Sequence, residues 1–192
     1  MQLPLGDLVE RLRCPHVAIL LRSPAEIYRV QASFYELGLR RNGFVVHRSL
    51  PGRLERDRTG LANAGLDVAA LEETGRLVVE ETPVTEPAES WADRWTGTVD
   101  EALARGFHSV WWTGFPIGRD DRFYRLALEY DRAWEASLAR RRSVSLCLYI
   151  VEGLDDDDRH ARMDELASFH DAVLLSNTDG VSFEPGRSPV GG

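Results

Sequence analysis

Short apolar runs alternate with amphipathic stretches along most of the chain. Seven runs have the length and composition of strands: residues 16–22, 44–47, 76–80, 108–114, 143–151, 172–177 and 180–184. Most are continuously apolar, which is typical of a parallel sheet that is covered on both faces. The pattern therefore predicts a three-layer α/β fold with a mainly parallel sheet. The last two runs meet near Asp179 and Gly180, which predicts an antiparallel hairpin at one edge.

The stretches between these runs predict helices with recognisable ends. They cover residues 24–41, two short pieces within 53–74, and residues 98–105, 120–140 and 155–169. Ser23 and Pro24 form a typical helix start, in which a capping side chain precedes a proline in the first turn. Asn42 and Gly43 mark the end of that helix, and Asp67 is a predicted cap.

Residues 81–97 differ from the regular segments around them. They contain two prolines, four acidic residues and two tryptophans, Trp91 and Trp95. Such a composition predicts a long connection or an irregular flap. Two tryptophans in such a segment are hard to place in a central core, so they predict a lid over a pocket or an interface.

The length and the apolar content fit one ordinary domain. The 192 residues, 43% of them hydrophobic, predict a single domain over residues 1–192 with a frayed tail at 186–192. No run approaches the roughly 18 apolar residues of a membrane span, and the N-terminus does not resemble a signal peptide. We therefore expect a cytoplasmic protein without membrane contact. Cys14 and Cys147 are too few for a disulfide framework.

The charged residues exclude several classes of function. The 23 basic residues against 31 acidic ones give a net charge of −8, which argues against nucleic-acid binding. The sequence contains no lysine, so neither a phosphate-loop lysine nor a Schiff-base lysine is present. The first predicted turn, around Arg22 and Ser23, contains no glycine. A phosphate at the following helix N-terminus stays open as an alternative.

Residues with metal-ligating or nucleophilic chemistry are scattered along the chain. Cys14 and His16 are close in sequence, but neither a C-x-x-C nor an H-E-x-x-H pattern is present. A four-ligand metal site would need further ligands from distant positions: His108, Cys147, His160 or His170. We therefore expect no metal site. Cys147 lies in the middle of a predicted strand, which favours a buried structural thiol over a reactive one.

Aromatic residues are the most suggestive feature for ligand binding. They are Trp111 and Trp112 on the fourth strand, Phe115 after it, Tyr149 on the fifth strand, and Tyr130 and Trp134 on the longest helix. Several together would line an apolar pocket with few polar groups, as small-molecule sites do. Core packing accounts for any one of them alone.

Five stretches carry a resemblance to a known family: HVAILLRSPAEIYRV with FYELGLRRNGFVV, GLDVAALEETGRLVV, FHSVWWTGFPIG, EYDRAWEASL and SLCLYIVEG. In order and spacing they resemble the MEDS sensory domain of methanogen and methylotroph regulators, over residues 14–178. The resemblance implies a RecA/KaiC-like core without the phosphate loop, used to sense small hydrocarbon derivatives. Other members are fused to DNA-binding or kinase modules, which implies signal transduction and transcription regulation.

The resemblance also implies particular site residues. Its motifs match His16, Tyr130, Cys147 and Tyr149 by position. Phe115 and Ile150 replace acidic residues of the family motifs, and Gly118 stands where an aromatic residue is frequent. The loss of two carboxylates implies a more apolar site.

We therefore expect a non-enzymatic sensory domain that binds a small, mostly apolar ligand at the carboxyl edge of the sheet, without a cofactor. The expected ligand-binding residues are Arg22, Ser23, Thr113, Gly114, Phe115, Tyr149, Trp91 and Trp95. Arg22 would make the charge-assisted contact. The signal would pass to a separate regulatory protein or through a homodimer. The alternatives are a KaiC-like nucleotide-binding regulator, an enzyme using Cys147 or Cys14, and a pure protein-interaction module.

Overall fold

Strands and helices alternate in the computed structural model, which describes residues 16–82, 86–118, 121–138, 141–177 and 180–184. The strands are β1 (His16–Leu21), β2 (Gly43–Ser49), β3 (Leu77–Glu81), β4 (Ser109–Gly114), β5 (Ser143–Ile150), β6 (Ala172–Asn177) and β7 (Gly180–Glu184). The α-helices are α1 (Ile27–Arg40), α2 (Leu54–Asn63), α3 (Val68–Glu73), α4 (Ala92–Ala104), α5 (Asp121–Leu138) and α6 (Asp156–Leu166). Short 3₁₀ helices, Pro24–Glu26 and Ala88–Trp91, precede α1 and α4. None of the helices in these ranges is long and apolar enough to cross a membrane.

The strands form one sheet in the order β3-β2-β4-β5-β1-β6-β7. Strands β1 to β6 pair in parallel throughout, and β7 runs antiparallel to β6 at the edge. The predicted three-layer α/β fold with a mainly parallel sheet is confirmed. The turn predicted between the last two strands falls on residues 178 and 179, outside the described residues, as do Cys14 and the tail at 186–192.

Alternate side chains of β1 enter two different cores. Val17, Ile19 and Leu21 pack in the cluster formed with α1, α2 and α3 on one face of the sheet. Ala18 and Leu20 pack with α5 and α6 on the other face. Because helices cover both faces, both sets of side chains must be apolar, which explains the continuous apolar run in the sequence.

Local signals at the helix ends act as predicted. The Ser23 hydroxyl accepts a hydrogen bond from the Ala25 backbone N–H at 3.2 Å, at the start of the 3₁₀ turn before α1. The Asp67 carboxylate accepts one from the Ala70 N–H at 3.2 Å. Asn42 has a φ of 54°, and this left-handed conformation lets the chain turn from α1 into β2.

The prediction of an irregular flap over residues 81–97 is wrong for its second half. A 3₁₀ helix leads into α4, which begins at Ala92 rather than near Thr98. Trp91 and Trp95 are 2% and 5% exposed and pack in a core cluster with α5. Their four-residue spacing places both on one helical face, and burial of that face outweighs the breaker-rich composition. Residues 83–85 lie outside the described residues.

The strand order creates a natural crevice between β2 and β4. These strands are neighbours in the sheet, but the chain leaves β2 toward the β3 edge and leaves β4 in the opposite direction, toward β5. In open α/β sheets, ligands bind at such a point, beyond the carboxyl ends of the strands. Arg48 of β2 and Gly114 of β4 face each other in the register there.

Candidate ligand-binding site

A cavity of about 120 Å³ lies between the sheet and helices α4 and α5. Its size is close to that of apolar cavities of ~150 Å³ that admit one benzene molecule. Its walls are mainly aromatic and come from Trp91, Trp95, Trp112, Phe115, Tyr130, Trp134 and Tyr149. The size and the lining fit a small, mostly apolar molecule.

A few polar side chains also reach the cavity. They are Arg48, Thr82, Thr113, Asp131, Ser145 and Cys147. Three buried donor atoms of lining residues have no hydrogen-bond partner among the described residues: Thr82 Oγ1, Trp91 Nε1 and Trp134 Nε1. Unpartnered buried donors are costly, so a ligand with an acceptor atom would be favoured over a pure hydrocarbon.

Arg48 is the cationic group of the described lining. Its guanidinium carbon lies 4.4 Å from the ring centroid of Trp91 and 5.6 Å from that of Trp112. It also forms a 3.1 Å salt bridge with Glu80. Burial lowers the pKa of Arg48, although the Glu80 charge opposes this shift. An arginine keeps its charge in proteins, so the cation is held in place by two rings and one carboxylate.

The structure brings most of the predicted ligand-binding residues together. The cavity is lined by Thr113, Gly114, Phe115, Tyr149, Trp91 and Trp95, and also by Tyr130 and Cys147. Arg22 and Ser23 are not among the lining residues. The Arg22 backbone N–H donates to the Ser176 hydroxyl, and the Ser23 hydroxyl caps the following turn. Arg22 and Ser23 follow the carboxyl end of β1. Because β5 lies between β1 and β4 in the sheet, that end is not beside the end of β4.

Arg48, and not Arg22, is the arginine that lines the cavity. The second strand was predicted to end at residue 47, so Arg48 was one residue outside it. Only the sheet order, which puts β2 beside β4, could have pointed to Arg48. The sequence carries no local signal for that order.

A polar cluster adjoins the cavity through two shared residues, Asp131 and Cys147. His16 begins β1, Cys147 lies on β5, Asp131 on α5, and His170 just before β6. One nitrogen, sulfur or oxygen atom from each of the four lies within 4.8 Å of all the others. We refer to these four residues as the polar cluster. Asp131 was missed in the sequence, because nothing in its local pattern distinguishes it from a surface acid.

Asp131 is the hydrogen-bonding centre of the polar cluster. The Cys147 thiol donates to its Oδ1 at 3.1 Å, and the Tyr149 hydroxyl donates to its Oδ2. His170 Nε2 lies 3.4 Å from the same Oδ2. Burial alone would raise the pKa of Asp131, but His170, His16 and Tyr149 outweigh it and hold the pKa below its usual range. The carboxylate is therefore ionised although it is buried.

The Cys147 thiol has the neighbours of a catalytic cysteine but the wrong electrostatics. His16 Nε2 lies 3.4 Å from the sulfur, and His16 Nδ1 lies 3.1 Å from Glu135 Oε2. This is the order of a nucleophile, a base and an orienting acid. Burial and the Asp131 charge, however, raise the pKa of Cys147 well above its ordinary value. The thiolate that such chemistry requires is therefore disfavoured.

The comparisons with known proteins agree with this architecture. A solved structure of a Pyrococcus horikoshii OT3 protein, described only as the subject of a structural study, superposes with a TM-score of 0.56. It is 11% identical, and the match covers 97% of this chain and 94% of that one, which supports the fold alone. No curated protein matches the sequence. Residues 15–171 match the family profile named MEDS, "MEthanogen/methylotroph, DcmR Sensory domain", and the chain belongs to this family of sensory domains.

Proposed function

We propose that this chain is a non-enzymatic sensor that binds a small, mostly apolar molecule, such as a hydrocarbon derivative with one acceptor atom. The main support is the aromatic cavity beside the carboxyl ends of β2 and β4, where the chain leaves these two strands in opposite directions. Membership of a sensory-domain family supports the same role. The signal would pass to a separate partner protein. That partner, a homodimer and a cytoplasmic location stay predictions from the sequence.

The aromatic walls determine the class of ligand. Trp91 and Trp95 have ring centroids 6.4 Å apart, and Trp91 and Tyr130 have centroids 6.3 Å apart. Rings arranged in this way offer a large apolar surface with few polar atoms. A ligand the size of benzene has about six heavy atoms, which limits its binding free energy to roughly 9 kcal/mol. We therefore expect dissociation constants no lower than about 0.3 μM.

Cyclohexanone and cyclohexane are a suitable pair of probes. They are matched in size, and only the ketone offers an acceptor to Thr82, Trp91 or Trp134. We expect cyclohexanone to raise the melting temperature of the full chain and to change its tryptophan fluorescence, and we expect cyclohexane to do so less. A native mass spectrum of the chain as purified would show any ligand that it retains from the cell.

A substitution that fills the cavity tests the site, and the same substitution elsewhere on the helix is its control. Ala127 of α5 is buried and lines the cavity, whereas Ala136 of the same helix is exposed. Ala127→Leu should weaken cyclohexanone binding at least tenfold, and Ala136→Leu should leave it unchanged. Equal binding by a folded Ala127→Leu variant would place the ligand elsewhere and contradict the proposal.

The same measurements separate the alternatives. Stabilisation by ATP with magnesium, and not by the apolar probes, would favour a KaiC-like nucleotide-binding regulator. No stabilisation by any small molecule would favour a pure protein-interaction module. The glycine-free turn at Ser23 and the absence of lysine both argue against the nucleotide alternative.

A further inference from the structure

The polar cluster has the dimensions of a metal site. Its four potential ligand atoms lie within 4.8 Å of one another. Neighbouring ligands of a tetrahedral zinc ion, with bonds of about 2.0–2.3 Å, are separated by roughly 3–4 Å. The Cys147 sulfur already lies 3.1 Å from Asp131 Oδ1 and 3.4 Å from His16 Nε2. Closing the widest of these separations by about 1 Å would place all four atoms at ligand distances from one ion.

Both histidines of the polar cluster direct Nε2 toward it, because Nδ1 of each is held from outside the cluster. His170 Nδ1 lies 2.9 Å from the Leu166 carbonyl oxygen, which can only accept, so Nδ1 carries the proton. His16 Nδ1 is held in the same way by the Glu135 carboxylate. Metal-binding histidines are typically fixed like this, with one nitrogen on a carboxylate or carbonyl and the other on the ion. In the neutral form of each ring, Nε2 is therefore the nitrogen that can bind a cation.

The hydrogen bonds within the polar cluster leave one of its atoms without a partner. His170 Nε2 is buried and has no hydrogen-bond partner among the described residues. It faces Asp131 Oδ2 at 3.4 Å without a hydrogen bond between the two atoms. The single proton of the Cys147 thiol can satisfy either Asp131 or His16 Nε2, but not both. A cation bound between these atoms would give His170 Nε2 a partner and would engage the other three residues at the same time.

The charge balance points the same way. Asp131 is a buried carboxylate. Among the described residues, its ion-pair partner is His170. Buried charges in proteins are paired with other charges or coordinate metal ions, and a divalent ion could serve here. A divalent ion bound by one carboxylate, one thiolate and two neutral imidazoles gives a net charge of zero.

We propose that His16, Asp131, Cys147 and His170 bind one divalent transition-metal ion of the zinc class. The mixed nitrogen, sulfur and oxygen set suits Zn²⁺, and the same set would accept Co²⁺ as a spectroscopic probe. Asp131 and Cys147 line the cavity, which gives the ion a route to the polar cluster. Glu135 and Tyr149 orient His16 and Asp131 from outside the ligand set. This inference is independent of the ligand proposed for the cavity.

The test is metal binding by the full chain after treatment with a chelator. We expect one equivalent of Zn²⁺ to remain after gel filtration, measured by mass spectrometry of the metal. The Co²⁺ form should show the visible bands of a tetrahedral ion and an ultraviolet thiolate-to-cobalt band. A folded chain that retains well under one equivalent would overturn the proposal.

Two variants with one matched control test the ligands. Cys147→Ser should abolish the thiolate band; if the band survives, it comes from Cys14 and the proposed ligand set is wrong. His170→Gln should weaken Zn²⁺ binding at least 100-fold. His160→Gln is its control, because His160 is exposed and its Nδ1 also contacts the carbonyl oxygen four residues earlier, that of Asp156. Equal affinities of the two histidine variants would contradict the proposal.

A substitution at Glu135 tests the metal site without altering a buried side chain. Its side chain is 37% exposed, so Glu135→Ala should fold normally. Loss of a group that orients a metal-binding histidine typically weakens metal binding about 10–100-fold. We expect that loss without any change in melting temperature in the presence of chelator. The exposed Glu129 of the same helix supplies the control, Glu129→Ala, and equal Zn²⁺ affinities of the two variants would count against the site.

Discussion

Asp57 on α2 shows how one buried carboxylate is stabilised by several donors. It accepts hydrogen bonds from the Tyr28 hydroxyl at 2.8 Å and from the Ser49 hydroxyl, and it lies 3.4 Å from His47 Nε2. Burial alone would raise the pKa of Asp57, but these three donors outweigh it and lower the pKa to about 2. The ionised carboxylate therefore ties α2 to β2 and α1.

Asp57 makes a predictable contribution to the pH dependence of stability. A folded-state pKa below the ordinary 3.8 favours the folded protein above about pH 4, and this contribution is lost as the pH falls toward 2. Asp57→Asn should therefore lower the free energy of unfolding by roughly 2 kcal/mol at pH 7 and by less near pH 2. Urea unfolding of both proteins at the two pH values measures the difference. A loss of equal size at both pH values would contradict the assignment.

Residues of the candidate site differ in how well the sequence could predict them. Thr113, Gly114 and Phe115 follow from the end of one parallel strand, because such ends meet at one edge of the sheet. Asp131 and Arg48 could not be predicted, because the first depends on α5 packing against Cys147 and Tyr149 of β5 and the second on β2 lying beside β4. Cys147 was predicted to be buried, but its acidic neighbour was not visible in the sequence.

At the scale of elements, strands were predicted better than helix starts. Trp111 and Trp112 point to opposite faces of β4, as neighbouring strand residues do, so Trp111 lies in one core and Trp112 in another. The start of α4 was missed because prolines and acids suggested a loop, whereas burial of Trp91 and Trp95 fixes a helix there. Tertiary burial overrides local composition at such a boundary, and local composition is what a sequence pattern reports.

The packing of α1 on β4 depends on a glycine. A Cβ atom built on Gly38 would lie 2.6 Å from Trp111 Cγ, whereas one on Gly97 of α4 would meet nothing within 4 Å. Gly38→Ala should therefore lower the free energy of unfolding by about 1–3 kcal/mol, because the Trp111 ring must move. Gly97→Ala should raise it by about 0.5–1 kcal/mol through helix propensity. Thermal unfolding of both variants tests this pair, and equal shifts would show that α1 is not packed as described.

At the scale of the whole molecule, the cavity and the polar cluster share one wall. Asp131 and Cys147 belong to both, and Tyr149 contacts Asp131 while it lines the cavity. Without a metal ion, this wall presents a buried negative charge to any ligand. With a divalent ion bound, the same wall is neutral, and Asp131 and Tyr149 are held in one arrangement. Occupation of the two sites should therefore be coupled.

The coupling has a definite sign. Neutralising the Asp131 charge makes the cavity more apolar, so Zn²⁺ should tighten cyclohexanone binding at least about fivefold, and cyclohexanone should tighten Zn²⁺ binding by the same factor. Titrations with cyclohexanone in excess Zn²⁺ and in chelator measure the first factor, and metal titrations with and without cyclohexanone measure the second. Cys147→Ser should remove the coupling while the cavity still binds the probe. Equal cyclohexanone affinities with and without Zn²⁺, in a chain that binds both, would show that the shared wall does not connect the two sites.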